Sequence, residues 1–385
     1  MPSVPTTSLD LTAPEFVADP YPAFAEERAR HGFARHLPSG TWLAFSHAAA
    51  GAVLRNRALG RVWHDREPAA ALEPFNLLHR NQMMENEPPE HTRLRRPVAA
   101  AFNRGHVERL RPRVRSLAAE LLDAAGDRFD VIEAYAEPLP VMVIAELLGV
   151  ARERVADLRV WSQAIVRMYE VDPTAEVVAA AVAAAEDFDA LVRDLVAERR
   201  QRPADDLTSD LAATGLSDDE VVASVVLLLN AGHEASVNVF GNGLVGMLAR
   251  DLTPGEDVAS AVEEMLRFDS ALQLFERTAT SDTEIAGVPV RKGERVAALL
   301  GSANRDPAVF DAPADFRTDR DPNPHLAFGA GVHFCLGSPL ARMEMVESVT
   351  ALFDRYPRLA LDGVPESRGT FVLRGHRAVQ VSSGA

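Results

Sequence analysis

Apolar residues recur along most of this chain at the spacing of an amphipathic helix, while alternation of apolar and polar positions is confined to short stretches. Helical spacing is most continuous in residues 107–198 and 217–248. Strand-like alternation with turn glycines occurs in residues 40–45 and 275–293. The pattern therefore predicts helices in the first two segments and short strands in the other two.

The longest predicted helix begins at a capping box. Ser217 and Glu220 stand three positions apart before an apolar run, so each side chain can bond the backbone amide of the other. The helix reaches about Leu248 and would be roughly 48 Å long. Four polar residues interrupt its apolar run, which predicts burial in protein and not in lipid: Asn230, His233, Glu234 and Asn238.

The remaining segments are less regular. We expect residues 1–19 to be an extended N-terminal segment without signal-peptide or membrane-anchor character. Helices are predicted over 20–30, 47–54 and 258–268. Residues 61–87 have few periodic positions, and a loop of this length in a compact domain is usually functional. We therefore expect an irregular segment there, which is either functional or a mobile surface loop.

Composition narrows the classes of protein that this chain can belong to. Of its 385 residues, 47% are hydrophobic and 25% are charged, and no linker or repeat interrupts them, so a single domain over 1–385 is predicted. The net charge of −16 argues against nucleic acid and anionic membrane surfaces as partners. A single cysteine excludes a disulfide framework and fits a reducing compartment. We expect a soluble cytoplasmic protein.

That cysteine, Cys335, lies in a glycine-rich stretch before a predicted helix start at Ser338 and Pro339. A helix N-terminus stabilises a thiolate over a thiol. One thiolate is too few ligands for a structural zinc site or an iron–sulfur cluster, but it suffices as the single axial ligand of a haem iron. The alternative for a lone cysteine is a buried, inert side chain.

The residues around Cys335 resemble the haem-binding loop of the cytochrome P-450 family of haem-thiolate monooxygenases. The match is complete at every signature position: Phe328, Gly329, Gly331, His333, Cys335 and Gly337. The resemblance runs from about residue 20 to 381. It implies a mainly α fold with small β-sheets and a single-domain cytochrome P-450 architecture, with haem b (iron protoporphyrin IX) between the long central helix and the cysteine-loop helix. Cys335 would be the axial ligand and dioxygen the co-substrate.

A second match lies upstream, after two prolines. His91 and Arg95 stand four positions apart, so they share one face of a predicted helix. The resemblance assigns both to the haem propionates, together with Arg277. Without it, a solvated basic face would be the default interpretation of His91 and Arg95.

The middle of the long helix resembles the family's oxygen-activation motif. Gly232 and Glu234 match it, and Glu234 is a proton-relay candidate; the alternative is a buried carboxylate paired with a basic neighbour. The family's threonine is replaced by Ala235, whose methyl group cannot hydrogen-bond. Ser236 lies about 100° further round the helix. We hypothesise that protons arrive through Ser236 and water, through ordered water alone, or through a substrate hydroxyl.

Glu264 and Arg267, three positions apart, resemble the family's structural pair of glutamate and arginine, with Arg320 as the expected third member. That role implies a buried cluster bonded to the segment before the cysteine loop. The substrate pocket is expected to be lined by Leu229, Leu272, Leu274, Phe275, Phe371 and Val372.

The activity implied by the resemblance is monooxygenation, above all hydroxylation, of an apolar small molecule in secondary metabolism. Electrons would come from a ferredoxin and an NAD(P)H-dependent ferredoxin reductase, and the protein would act as a monomer. Four arginines are candidates for a basic patch that binds the ferredoxin, and the alternative is that they are scattered and solvated. They are Arg93, Arg96, Arg104 and Arg342. Oxidative coupling, a peroxide-dependent reaction and a non-enzymatic haem-based binder or sensor remain as alternatives, because the usual threonine is absent.

Overall fold

The computed structural model describes residues 4–102 and 104–384, and it is about 53% helical. The chain divides into two compact units. Unit 1 comprises residues 1–61, 238–338 and 356–385, and unit 2 comprises residues 62–237 and 339–355. The single domain expected over 1–385 stays a prediction.

Helices form most of the described chain. They are α1 (Pro14–Ala18), α2 (Tyr21–Arg30), α3 (His47–Arg55), α4 (Glu73–Arg80), α5 (Glu90–Ala101), α6 (Arg104–Ala124), α7 (Pro138–Leu148), α8 (Val155–Val166), α9 (Ala175–Gln201), α10 (Leu207–Ala212), α11 (Asp218–Leu248), α12 (Val258–Phe268), α13 (Leu300–Ala303) and α14 (Ser338–Arg355). Short 3₁₀ turns occupy Met83–Glu85, Arg152–Arg154, Arg167–Tyr169 and Gly331–His333, and a π-helical turn occupies Ile132–Ala136.

The strands are short. They are β1 (Thr6–Thr7), β2 (Phe33–His36), β3 (Trp42–Ala44), β4 (Leu59–Gly60), β5 (Arg128–Asp130), β6 (Leu274–Ala279), β7 (Thr283–Ile285), β8 (Val288–Val290), β9 (Arg295–Leu299), β10 (Ala360–Leu361), β11 (Glu366–Ser367), β12 (His376–Ala378) and β13 (Gln380–Ser382).

A six-stranded sheet organises unit 1, in the order β1-β2-β3-β9-β6-β4. Strand β3 pairs antiparallel with β2 and parallel with β9, and β9 pairs antiparallel with β6. Because side chains alternate along a strand, Trp42 and Ala44 enter one apolar cluster with α3, and Leu43 enters another with Phe24. Both faces of the sheet are therefore covered.

The N-terminal segment is not extended throughout, which corrects the expectation for residues 1–19. Helix α1 has a proline in its first turn and Glu15 at its positive end, and both favour helix initiation. Phe16 is buried, with its ring centroid 5.4 Å from that of Phe24 and 4.9 Å from that of Phe371. Burial of this ring stabilises a helix too short to be recognised by periodicity.

The segment 61–87 is also more ordered than predicted, because it contains α4 and a 3₁₀ turn. Helix α4 buries one face, on which Phe75 and Leu78 lie. The Asn76 amide accepts a hydrogen bond from the backbone N–H of Arg66 (2.9 Å) and donates one to its carbonyl (3.1 Å). Two turns of apolar spacing were too few to identify the helix from sequence.

Helix α11 matches its predicted limits closely. The capping box forms, since Ser217 donates its backbone N–H to Glu220 (2.8 Å) and Glu220 donates its own to the Ser217 hydroxyl (3.2 Å). This helix is long and apolar enough to cross a membrane, but 72% of its apolar window is buried inside the structure, as in the core helix of a soluble protein.

Candidate active site

The loop that carries Cys335 is held by its own backbone. The Cys335 N–H donates to the Phe328 carbonyl (2.9 Å), the Gly329 N–H donates to the Leu326 carbonyl (2.8 Å), and the Ser338 N–H lies 3.4 Å from the Cys335 carbonyl. Cys335 is half-buried and stands directly before the first turn of α14. The structure therefore presents one thiol from a tight turn at a helix start.

The glycines of this loop serve different purposes. Gly331 has φ +75°, and a Cβ there would lie 2.3 Å from the backbone oxygen of Leu54 in α3, so glycine is required by packing within unit 1. Gly329 also has a positive φ, +68°. A Cβ at Gly337 would meet no heavy atom within 4 Å, so contacts within the described chain do not require glycine there.

A buried ionic cluster supports this loop. Arg267 donates two hydrogen bonds to Glu264, both 2.7 Å, and Arg320 donates to the same carboxylate at 3.0 and 3.2 Å. Glu264 and Arg267 have no exposed surface. Burial opposes ionisation of Glu264, but the bonds and charges of Arg267 and Arg320 outweigh it, so the pKa of this carboxyl is lowered. Glu264, Arg267 and Arg320 therefore form one buried cluster, as the sequence predicted.

The same cluster fixes the chain that precedes Cys335. Arg267 donates to the carbonyls of Asn304 (2.9 Å) and Asp315 (3.1 Å). The Asn304 side chain in turn accepts the backbone N–H of Leu326 at 2.6 Å. Since Leu326 lies two residues before Phe328, Glu264 and Arg267 are connected to the cysteine loop through a short chain of hydrogen bonds.

Arg277, the third predicted propionate ligand, lies on β6 and is 3% exposed. Its guanidinium carbon is 4.3 Å from the centroid of the Phe275 ring, and Nη1 donates to the Glu276 carbonyl at 3.0 Å. Phe275 also contacts the guanidinium of Arg61, at 4.9 Å. Phe275 therefore supports two cationic side chains.

The expected pocket residues of unit 1 belong to its core. Phe371 and Val372 are 3% and 6% exposed and pack with Phe16 and Phe24, and Leu272 and Leu274 pack against the same cluster. Phe371 and Val372 are thus buried within unit 1, and their expected role in lining a substrate pocket stays a prediction.

Unit 2 carries the other predicted cofactor ligands on α5. His91 is 4% exposed, and Arg95, one turn later, is partly buried. Arg93 pairs with both Glu90 and Glu220, so much of its charge is neutralised. Of the other arginines in the predicted docking patch, Arg96 is exposed and Arg342 is partly buried, while the side chain of Arg104 lies outside the described residues.

Helix α11 changes character at its centre. Residues 221–230 are all buried, whereas Gly232, Ala235 and Ser236 are only partly buried. Glu234 is 2% exposed, and its Oε1 lies 3.5 Å from Nδ1 of the buried His233. These small residues form a shallow stretch of helix surface next to a buried carboxylate.

Gly232 also serves helix packing within unit 2. A Cβ there would lie 3.3 Å from the side chain of Ile144 in α7, so α7 and α11 approach closely at this point. The match of Gly232 to the oxygen-activation motif gave no sign of this contact.

A small cavity in unit 2 lies between α4, α8 and α11 and has a volume of about 10 Å³, which is room for one water-sized group such as a hydroxyl. Its walls are largely aliphatic, and its polar side chains are His79, Gln82, Tyr169 and Asn230. None of the six predicted pocket residues, Leu229 included, lines this cavity. No motif or spacing in the sequence pointed to His79, Gln82 or Tyr169, whereas Asn230 was visible as an interruption of an apolar helix.

Two further buried acids lie on α14. Burial raises the pKa of Glu344 to about 8. Burial would raise the pKa of Glu347 too, but hydrogen bonds from Arg115 and Arg111 outweigh it and lower that pKa. The helix after the cysteine loop therefore contains one neutral and one ionised carboxyl group at neutral pH.

Two bacterial enzymes are similar in sequence to this chain over nearly its whole length. The cytochrome P450 monooxygenase PikC of Streptomyces venezuelae is 36% identical over 98% of this chain and 94% of its own length. The 6-deoxyerythronolide B hydroxylase of Saccharopolyspora erythraea is also 36% identical, over 96% of this chain and 97% of its own. The family profile "Cytochrome P450" matches residues 258–368.

The chain belongs to the cytochrome P450 family. The predicted mainly α fold with small β-sheets is confirmed by the crystal structure of P450BioI in complex with hexadec-9Z-enoic acid ligated acyl carrier protein. That structure superposes with a TM-score of 0.92 at 30% identity, covering 96% of this chain and 99% of P450BioI.

This cytochrome P450 is an oxidoreductase, a monooxygenase of a family that uses a haem-thiolate cofactor and dioxygen, and bacterial members of the family generally need redox partners. The predicted reaction class is thereby confirmed.

Proposed function

We propose that Cys335 is the axial ligand of haem b and that the protein hydroxylates a neutral, largely apolar small molecule. The observation that carries the proposal is the geometry of the Cys335 loop: the sole cysteine of the chain, held by backbone bonds before α14. When bound, the haem supplies the oxidising chemistry, with the thiolate favouring O–O cleavage. A Cβ at Gly337 would meet nothing within 4 Å, which leaves room beside this loop for a bound group and supports the proposal.

His91, Arg95 and Arg277 would hold the two propionates. An imidazole and two guanidinium groups are the donors that carboxylates bind best. Arg277 and His91 are both buried, and both side chains can donate hydrogen bonds to a carboxylate. This donor set fits a dianionic cofactor and supports the proposal.

Glu234 would deliver protons. Its carboxyl group is buried beside His233, so only a few routes lead a proton to or from it. The family's hydroxyl is missing at Ala235, so the proton must pass through Ser236 and water, through water alone, or through a hydroxyl of the substrate. The chain positions this acid on the same helix as the residues that line the cavity of unit 2.

The proposed substrate class rests on the side chains that line the cavity of unit 2 and on the names of the similar proteins. The cavity of unit 2 carries no aspartate, glutamate, lysine or arginine, which disfavours a charged substrate. Relatives named for polyketide biosynthesis and for hydroxylation support a substrate from secondary metabolism.

Electrons would come from a ferredoxin and its NAD(P)H-dependent reductase. With a net charge of −16, the protein would need a local basic surface to bind an acidic carrier, and Arg96 and Arg342 are candidates for it. We further propose a cytoplasmic monomer that binds neither nucleic acid nor membrane.

Ala235 favours a peroxide-dependent reaction as a second candidate, because hydrogen peroxide already carries the protons that a helix hydroxyl helps to deliver to dioxygen. Oxidative coupling is the other alternative. Product mass separates hydroxylation from oxidative coupling, since hydroxylation adds one oxygen atom and coupling adds none. Turnover with hydrogen peroxide in place of NAD(P)H and ferredoxin identifies the peroxide-dependent reaction.

The first test is an optical titration of the purified ferric protein with neutral terpenoids, macrolactones and aromatic compounds. A substrate that displaces the water ligand shifts the haem band toward high spin. The Cys335→Ser variant should lose the thiolate signature of the ferrous carbonyl complex. A variant with unchanged spectra would refute the role of Cys335, and a wild type without haem would refute the proposal as a whole.

A further inference from the structure

Two carboxamides in the cavity of unit 2 have no assigned role. Gln82 is 3% exposed and Asn230 is 8% exposed, and both line this cavity. Within the described residues, neither Gln82 Oε1 nor Asn230 Oδ1 has a hydrogen-bond partner. Buried carbonyl oxygens are rarely left unpaired, because the loss of hydration is not recovered. Both carbonyl oxygens thus need a hydrogen-bond donor, which either a water molecule or a hydroxyl group of a ligand supplies.

The other polar side chains of the cavity are already engaged with each other. His79 Nδ1 lies 2.7 Å from the Phe75 carbonyl, which only accepts, so Nδ1 carries the proton. In the neutral ring, Nε2 then accepts the hydroxyl proton of Tyr169, at 2.9 Å. This pair stiffens the wall and leaves the carboxamides of Gln82 and Asn230 as the groups that select a ligand.

The remaining walls limit what that ligand can be. They are aliphatic, with Leu78, Ile165 and Val226 among them, and no lining residue has a permanent charge. An ammonium or carboxylate here would lose its hydration without a counter-charge. A hydroxyl group both donates and accepts, so it satisfies a carboxamide in either orientation.

The residues of α11 that line the cavity lie on the same face of the helix as Glu234, the proposed proton donor. Ala223, Val226, Leu227 and Asn230 follow one face of the helix, and Glu234 comes one turn later on the same face. Four residues of helix rise by about 6 Å. A group held at Asn230 would therefore be fixed about one helical turn from Glu234.

We propose that Gln82 and Asn230 bind a neutral hydroxyl group of an otherwise aliphatic substrate and so select which carbon is presented for oxidation. The proposal rests on the haem-thiolate function proposed above and adds the substrate class to it: neutral aliphatic alcohols, as opposed to fatty acids, amines or plain hydrocarbons.

The test uses the haem-loaded protein and three probes that share one ring: cyclododecanol, cyclododecanone, which accepts but cannot donate, and cyclododecanecarboxylate. Isothermal titration calorimetry measures binding whether or not the probe reaches the iron. Wild type should bind the alcohol about tenfold more tightly than the ketone and the carboxylate most weakly. Gln82→Met and Asn230→Leu should each lose most of that preference with little change in ketone affinity.

Ser224→Ala is the matched control. Ser224 is a fully buried residue of α11 whose hydroxyl also has no hydrogen-bond partner within the described chain, but it does not line the cavity. This variant should keep the preference for the alcohol.

Equal affinity of wild type for alcohol and ketone would overturn the proposal, as would tighter binding of the carboxylate. An equal loss of preference in Ser224→Ala would also overturn it. The haem band of the same samples reports separately on the proposed function: a protein without the thiolate-haem spectrum fails that function, whatever its preference among the probes.

Discussion

At the scale of single side chains, buried carboxyl groups differ according to their neighbours. Two arginines lower the pKa of Glu264 and hold it ionised, whereas burial raises the pKa of Glu344. The same residue type thus stabilises the fold in one place and makes it sensitive to pH in the other.

Glu264→Ala should give a protein that is unfolded or lacks haem. Removing one partner of a buried ion pair costs about 3–5 kcal/mol, and here two arginines would lose their carboxylate. Circular dichroism and haem absorbance measure the outcome. Glu256→Ala, at an exposed acid of the same unit, is the control. A folded, haem-replete Glu264→Ala protein would refute the structural role.

Glu344 should make wild-type stability fall as pH rises. Its pKa is about 8 in the folded protein and 4.5 ordinarily, so between these values the unfolded chain is ionised and the folded one is not. Stability is then full below about pH 4.5 and decreases by up to about 1.4 kcal/mol per pH unit until about pH 8. Glu344→Gln should remove this slope in guanidinium unfolding measured at several pH values. Identical slopes in both proteins would contradict the assignment.

Ala235→Thr should change the ratio of product formed to NAD(P)H consumed, because it adds a hydroxyl next to the proposed proton donor Glu234. The substrate used in this assay is the compound that gives the largest spin-state shift in the optical titration. Ser236→Ala is the companion variant: a loss of coupling there identifies Ser236 as part of the proton route. If Ala235→Thr leaves coupling and product pattern unchanged, the missing hydroxyl does not matter for this enzyme.

Among the helices and loops, the contacts that position the cysteine loop come from elements distant in sequence. Helix α3 contacts the loop at Gly331, and α12 reaches it through Arg267 and Asn304. The loop is therefore a rigid support for Cys335, and its glycines are needed for packing as well as for access.

Gly331→Ala should reduce haem retention strongly. The new Cβ would meet the Leu54 carbonyl in a backbone conformation that non-glycine residues rarely adopt, and both strains must be relieved by moving the loop. Haem content after gel filtration is the measurement. Gly215→Ala, where a Cβ meets nothing within 4 Å and φ is ordinary, should behave like wild type. Full haem content in Gly331→Ala would show that the loop can adapt.

For the whole chain, the charge balance governs how the protein meets its electron donor. A protein with a net charge of −16 repels an acidic ferredoxin at long range, so association depends on local arginines.

Arg96→Glu should slow ferredoxin-supported reduction at low ionic strength and weaken its salt dependence, because screening then has less attraction to remove. Stopped-flow reduction at several salt concentrations measures this. Arg57→Glu, at an exposed arginine outside the proposed patch, is the control. Equal effects of the two substitutions would indicate that only net charge matters and that no docking patch exists.

Much of the architecture could be read from local sequence. The α11 capping box, the α12 pair of Glu264 and Arg267 and the run around Cys335 depend on residues within a few positions of each other, and the structure has them where the pattern placed them. Helices α1 and α4 were missed because each is only a turn or two long and is stabilised by burial of Phe16 or Phe75.

Local spacing determined the helices, the cap and the chemistry of the cysteine loop, since these follow from backbone hydrogen bonding and short-range side-chain contacts. Tertiary structure alone decided that Phe371 belongs to the core, that Glu344 is buried, that Gly331 faces α3, and that Gln82 and Asn230 line one cavity. Those outcomes depend on desolvation and on contacts between residues far apart in sequence, which no periodicity encodes.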